Sequence, residues 1–135
     1  MTKYIVSLLF ILAQISWATD VTFTKDVSIE NDLKNEIVAY WKNRGEREFK
    51  KTYTKELPYL QYLHSQKWYK TFFANAPEIS LITVKGIKKY NDENYTFSIL
   101  IHFEYNPDSP TFLYDKWMKI DGKWYHKYND NPLPM

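Results

Sequence analysis

The stretch "DKWMKIDGKWYHKYNDNPL" (Asp115–Leu133) sets two Trp, two Tyr, one His and four Lys around a single Asp-Gly. Asp-Gly between two strand-like runs signals a two-residue type I′ hairpin, because that turn needs positive φ at both central residues. The turn fixes a register. Ile120 faces Lys123, Lys119 faces Trp124, Met118 faces Tyr125, Trp117 faces His126, and Asp115 faces Tyr128. Side chains alternate along a strand. One face therefore carries Asp115, Trp117, Lys119, Trp124, His126 and Tyr128, and the other carries Lys116, Met118, Ile120, Lys123, Tyr125 and Lys127. Three lysines mark the second face as solvated. The two Trp turn the first toward a core or pocket, with Lys119 close enough to the turn to reach water. A stacking platform for nucleic acid needs basic and aromatic groups on one exposed face, and here they separate. A bulge or a longer turn would exchange the two faces.

Working back along the chain, Tyr95, Phe97, Ile99, Ile101, Phe103 and Tyr105 alternate with Thr96, Ser98, Leu100, His102 and Glu104, the pattern of a half-buried strand. A β-branched run, Ile79–Tyr90, precedes it across "NDEN". "NPDSP" reads as the turn into a strand over Phe112–Ile120, and Lys123–Asn129 closes the sheet. Upstream the period becomes helical. Ile29, Leu33, Ile37, Tyr40 and Trp41 form one stripe up to Gly45, with Ser28, Asn31 and Asp32 as capping acceptors. "EREFKKTY" predicts a short second helix with Phe49 and Tyr53 inward. A third helix is expected from Pro58 to about Phe73, with Leu60, Leu63, His64, Trp68 and Phe72 on its inner stripe. "TDVTFTKDVS" reads as a polar lead-in. Helices followed by a run of strands predict an α+β domain with its helices on one face of a strongly curved antiparallel sheet. The absence of βαβ alternation excludes a dinucleotide-type parallel sheet.

The early helix ending in "VAYWKNRG", the second helical block, and the long strands closing in "DKWMKIDGKWY" resemble the nuclear transport factor 2-like (cystatin-like) superfamily. The likeness spans nearly all of the chain after its leader. It implies a cone in which the curved sheet wraps the helices and leaves a pocket at the open end. It places Tyr40 and Trp41 near the cone mouth, and implies an outer sheet face usable for dimerisation, where His102 would lie. Members include isomerases, dehydratases, polyketide cyclases, noncatalytic binding modules and periplasmic domains of secretion-system assembly proteins, so the fold does not fix an activity.

Composition narrows the rest. At 135 residues one domain is expected, with aromatics at 19% and a formal charge of +2 that implies no nucleic-acid partner. The chain has no Cys, which excludes disulfides, thiolate metal sites and Cys nucleophiles. Lys3, the apolar run "YIVSLLFILAQI" (Tyr4–Ile15) and "SWA" make a secretory signal peptide, Met1–Ala18. Thr19–Met135 is then a single domain, periplasmic or secreted. The apolar run is shorter than the roughly 20 residues that span a bilayer, so no stable membrane span remains after cleavage.

Asp115, His126 and Tyr128 are candidate catalytic groups, since a buried carboxylate, imidazole and phenol suit proton transfer. The alternative is that Asp115 and His126 satisfy only each other. Tyr40, Trp41, His64, Trp68, Trp117 and Trp124 are candidate ligand-binding residues. Three dispersed His residues imply no metal site, and no cofactor motif is present. The favoured reading is an exported noncatalytic module with a small hydrophobic pocket, binding an apolar ligand, a peptide or a protein, with a possible homodimer through the outer sheet face. The alternatives are an isomerase or dehydratase-type enzyme, or an envelope or secretion-system assembly component that keeps its N-terminal anchor.

Overall fold

Four short helices lie against a strongly curved five-stranded sheet in the computed structural model, which describes residues 19–128. The proposed leader, Met1–Ala18, and the last seven residues lie outside the described residues. In chain order the elements are β1 (Asp20–Phe23), α1 (Asn31–Gly45), α2 (Phe49–Tyr53), α3 (Pro58–Leu63), α4 (Gln66–Ala74), β2 (Ile79–Asn91), β3 (Asn94–Phe103), β4 (Asn106–Ile120) and β5 (Lys123–Lys127). The strands lie side by side in sequence order. Register shifts along β2–β3 and β3–β4 supply the local bends that curl a long sheet.

The expected antiparallel sheet is corrected at one edge. "DVTF" is a strand rather than a lead-in, and it pairs parallel to β2, with Val21 beside Ile82 and Phe23 beside Val84. Parallel pairing is possible because four helices separate the two strands in sequence and carry the chain back to the starting end. "NPDSP" is corrected as well. These residues belong to β4, and the turn falls earlier, at Glu104–Tyr105. Pro107 and Pro110 fit there because β5 pairs only with Lys116–Ile120, so this half of β4 is an edge that makes no ladder bond on its outer side to the described strands.

The predicted third helix is two. The chain is extended at His64, and Ser65 caps a new helix by accepting from the Trp68 amide at 3.1 Å. Restarting the helix shifts its phase. Leu63 and Phe72 of the expected stripe are exposed, and Tyr69 and Phe73 are buried in their place. At the start of α1 the expected capping acceptors go unused: Glu30 is the cap residue and makes no side-chain cap bond.

Packing follows the periodicity. Leu33, Ile37, Tyr40 and Trp41 of α1 meet Ile82, Val84, Phe97, Ile99, Ile101, Trp117 and Trp124 of the sheet in one core. A second cluster of Phe49, Leu60, Tyr69, Phe73 and Tyr128 joins the smaller helices to the end of β5. Gly45 ends α1 where the incoming chain crosses it. A Cβ at this position would lie 1.8 Å from the Thr19 hydroxyl, and Thr19 is itself buried and donates to the Ile79 carbonyl at 2.8 Å. Gly45→Ala should therefore destabilise the domain by about 1–3 kcal/mol, the usual cost of overpacking. In urea denaturation, Thr19→Gly should recover part of that loss, so that the double variant costs less than the sum of the singles.

Candidate functional site

Asp121 and Gly122 both have positive φ, 51° and 79°, which makes the closing turn type I′. The register is the expected one from Ile120–Lys123 through Trp117–His126. Lys116, Lys123 and Lys127 are exposed, and Asp115, Trp117, Trp124, His126 and Tyr128 are buried. The hairpin thus delivers Asp115 and His126 to one internal point, where His126 Nε2 lies 2.6 Å from Asp115 Oδ1.

The third member comes from elsewhere. Glu56 sits in the turn between α2 and α3, and its Oε1 lies 2.5 Å from His126 Nδ1. Backbone bonds anchor that turn to β5, from the Leu57 amide to the His126 carbonyl at 3.0 Å and from the His126 amide to the Lys55 carbonyl at 2.8 Å. No local pattern marks Glu56, because its partner is 70 residues away. The nearest clue was the ring of His126, which has two nitrogens, only one of which Asp115 can meet.

Each carboxylate uses one oxygen on His126 and offers the other to two aromatic donors. Asp115 Oδ2 accepts from the indoles of Trp41 (3.0 Å) and Trp117 (2.9 Å). Glu56 Oε2 accepts from the hydroxyls of Tyr40 (3.0 Å) and Tyr69 (2.7 Å). The Tyr40 ring also stacks on His126 at 4.1 Å between centroids. Half-buried Arg44 donates to the Tyr40 hydroxyl at 3.3 Å and lies over the rings of Trp41 and Phe73. Glu56, Asp115 and His126 are 0%, 1% and 4% exposed.

The electrostatics follow from this geometry. Burial alone would lower the His126 pKa, but the charges of Glu56 and Asp115 and their hydrogen bonds outweigh it and raise the value to about 9. Burial likewise pushes Asp115 up, and the His126 charge with hydrogen bonds from His126, Trp117 and Trp41 brings it below the ordinary carboxylate range. The Tyr40 hydroxyl is raised well above its usual value, first by burial and then by the Glu56 charge. The cluster at neutral pH is therefore an imidazolium between two carboxylates, with both ring N–H groups donating. The imidazole stands between the carboxylates, so the three groups do not converge on one point. Among the described residues no cluster of His, Cys, Asp and Glu is arranged to hold a metal ion.

The other sequence candidates fall in different places. Tyr128 shares the buried face, and its ring packs on Phe72 and Phe73 in the second cluster. Tyr40, Trp41 and Trp117 are enclosed in the core. Trp124 is buried too, against Tyr95 and under the Lys119 ammonium, and its indole N–H has no acceptor among the described residues. His64 and Trp68 stack at 3.7 Å and are half-buried, with Trp68 packed against the second cluster. The open concavities lie at the C-terminal end of α1, just beyond Tyr40 and Trp41 and beside Arg44. They are two adjoining clefts of about 110 and 250 Å³ that share Gly45, Arg47, Glu78 and Ile79, the smaller one floored by Phe49, Phe73, Ile101 and Phe103. Sequence reasoning had not singled out this place, since its walls come from the ends of α1, α4, β2 and β3.

No family model matches the sequence, and no curated protein does. Solved structures do. A Campylobacter jejuni protein described as a candidate nuclear transport factor 2-like transpeptidase superposes with a TM-score of 0.57 at 11% identity, over 73% of this chain and all of that one. The fold is nuclear transport factor 2-like. A SEC-C-motif-containing protein from Psychrobacter arcticus is similar with a TM-score of 0.57 at 13% identity, over 82% of this chain and 66% of that one. Another, from Rhodopseudomonas palustris, gives 0.53 at 12%, over 68% and 72%. These likenesses concern the fold alone, not an activity.

The buried cluster makes stability depend on pH in a defined direction. His126 has its pKa raised on folding, so its contribution is complete below about pH 6.5 and is lost as pH rises through about 9. Asp115 is lowered, so its contribution is present above its ordinary value and is lost as pH falls through the depressed one. Thermal unfolding should show stability falling progressively from about pH 6.5 and levelling off above about pH 9. Glu56→Gln should move that limb to lower pH by removing one of the charges that hold the proton. Asp115→Ala should cost about 3–5 kcal/mol, the price of breaking a buried ion pair.

The two kinds of buried indole should also separate in chemical denaturation. Trp41→Phe takes a donor from Asp115 and should cost about 1–3 kcal/mol from that lost bond alone. Trp124→Phe removes an N–H that has no acceptor among the described residues and should cost less.

Proposed function

We propose that this chain is an exported, noncatalytic interaction module that binds protein or peptide. The observation that carries this reading is the closure of the polar cluster. Glu56, Asp115 and His126 are at most 4% exposed. All four carboxylate oxygens and both ring nitrogens are engaged internally. A general acid or base must reach the proton it transfers, and a substrate has no approach to these groups. This closure gives the isomerase or dehydratase reading no support. Transpeptidation, the activity in the description of the Campylobacter jejuni protein, draws no support from the clefts either, because their walls contain no Ser, Thr or Cys.

Size favours a macromolecular partner. The clefts, at about 110 and 250 Å³, fall below the roughly 300–1,000 Å³ of small-molecule sites. Phe49, Phe73, Ile101 and Phe103 offer room for one or two apolar side chains of a peptide. The outer face of the sheet offers more. Phe112 and Tyr114 are 51% and 60% exposed, their rings meet at 5.1 Å, and Leu100 lies beside Phe112. Met118 and Tyr125 continue the face in the same alternation. Exposed aromatic groups with a neighbouring Met are the composition of a recognition surface, and a second copy of the chain is its first candidate partner.

Sedimentation equilibrium of the processed protein should report a dimer that Tyr114→Lys dissociates without loss of thermal stability. A monomer at every concentration tested would remove the homodimer. Intact-mass measurement on protein recovered from its native compartment should show loss of Met1–Ala18; retention of that segment would favour the anchored assembly component.

A further inference from the structure

On the outer face of the sheet, the register sets three lysines in one row across the strands. Lys88 of β2 faces Thr96 of β3, Thr96 faces Lys116 of β4, and Lys116 faces Lys127 of β5. All three lysines are exposed. With strands roughly 4.8 Å apart the row spans about 14 Å. Lys116 and Lys127 stand directly opposite each other, and like charges so placed work against the sheet. Lysines elsewhere on the surface find carboxylates: Lys55 holds Glu36 at 2.9 Å and Lys89 holds Asp92 at 2.8 Å. Lys88 has the Tyr90 ring, 5.0 Å away, and neither it nor Lys116 nor Lys127 forms an ion pair among the described residues. The row on one side is Gly86, Ser98 and Tyr114, and the row on the other is Asn94, Met118 and Tyr125. Neither contains a carboxylate.

An anionic partner would complete this row, and shape selects among such partners. The helices fill the inner side of a strongly curved sheet, so the outer face is convex and a row across the strands lies on an arc. A planar layer of headgroups meets the crown of an arc and misses its ends, whereas an extended chain can follow it. Single-stranded nucleic acid takes hold through rings presented to successive bases, and here Phe112 and Tyr114 meet edge-on at 85°. An extended peptide projects every second side chain to the same side, roughly 6.6 Å apart, so acidic residues at three alternate positions span about 13 Å. That matches the row. Tyr114 and Met118 flank Lys116 on its own strand and offer apolar contact to the side chains beside those carboxylates. A second copy presenting the same face would bring lysine to lysine.

We propose that the row of Lys88, Lys116 and Lys127 is a docking site for an extended acidic segment of another protein, with carboxylates at alternate positions. This partner, which rests on the reading of the chain as an interaction module, is distinct from the second copy placed on the same sheet face. The row keeps an unfavourable pair of like charges on the free protein, and the partner's carboxylates relieve it on binding.

Fluorescence anisotropy tests the site with a short fluorescein-labelled peptide in which three glutamates alternate with threonine and valine. It should bind the protein saturably at low salt and weaken as salt rises, while the counterpart with lysines in place of glutamates should not bind. Lys116→Glu sets a carboxylate opposite Lys127. It should weaken peptide binding about tenfold while thermal stability stays level or rises. Equal affinity for the two peptides, or affinity that Lys116→Glu leaves unchanged, would overturn the proposal. So would tighter binding of phosphatidylglycerol vesicles or of oligothymidylate than of the acidic peptide. Sedimentation of the same samples separates the two readings of the face. A monomer that binds the peptide removes the homodimer and keeps this site, and a dimer that binds no peptide removes this site alone.

Discussion

An imidazolium between two buried carboxylates survives only if the remaining lone pairs of both carboxylates are also met, because each desolvated charge without a partner costs several kcal/mol. That constraint organises this molecule. The two indole donors on Asp115 come from α1 and β4, and the two phenol donors on Glu56 come from α1 and α4. Helix α1 supplies one to each side from adjacent residues, Tyr40 and Trp41. The hairpin and the helical block are thereby fixed to the same helix through polar contacts, and the apolar core closes around them. Tyr and Trp serve well here, since each fills core volume and carries one polar handle to a defined point. The high aromatic content of a chain without disulfides has a physical use in this arrangement.

The same arrangement bears on function. Carboxylate, imidazole and phenol in an apolar interior are the materials of acid–base catalysis, and in a list of residues the two cases look alike. What separates them is where the unspent hydrogen-bonding capacity lies. In a reacting site some of it faces a void that a substrate can enter. Here the donors and acceptors face one another, and the open concavities lie beside the last turn of α1, where Arg44 both donates to Tyr40 and lines one cleft. The interest of the surface shifts accordingly to aromatic side chains that the core leaves outside.

Much of the sheet was legible because its signals are local. Asp121-Gly122 fixed a turn, the turn fixed a register, and period-two alternation then assigned each side chain from Asp115 to Tyr128 to a face. That carried the Asp115–His126 contact as well. Glu56 could not be read this way, because it reaches His126 through a backbone bridge between distant segments, and sequence spacing carries no trace of that bridge. Strand β1 escaped notice because four residues give too short an alternation to stand out from a polar segment. "NPDSP" resembles a turn in composition and becomes strand only because its side of β4 is an edge. The break at His64–Ser65 changed the phase of one helical stripe without changing its composition. It exchanged Leu63 and Phe72 for Tyr69 and Phe73 on the inside.

The half of β4 that pairs with no described strand on its outer side has a consequence for how such molecules behave when crowded together. An open sheet margin is an invitation for the matching margin of another copy to add on, strand after strand, until fibres form. Pro107 and Pro110 have no amide hydrogen to offer a ladder in this part of β4, and Asp108 places a charge between them. A short β5 would otherwise leave a chain rich in aromatic and β-branched strands exposed to runaway polymerisation. The two imino acids let the sheet end in open water and still remain one molecule's sheet.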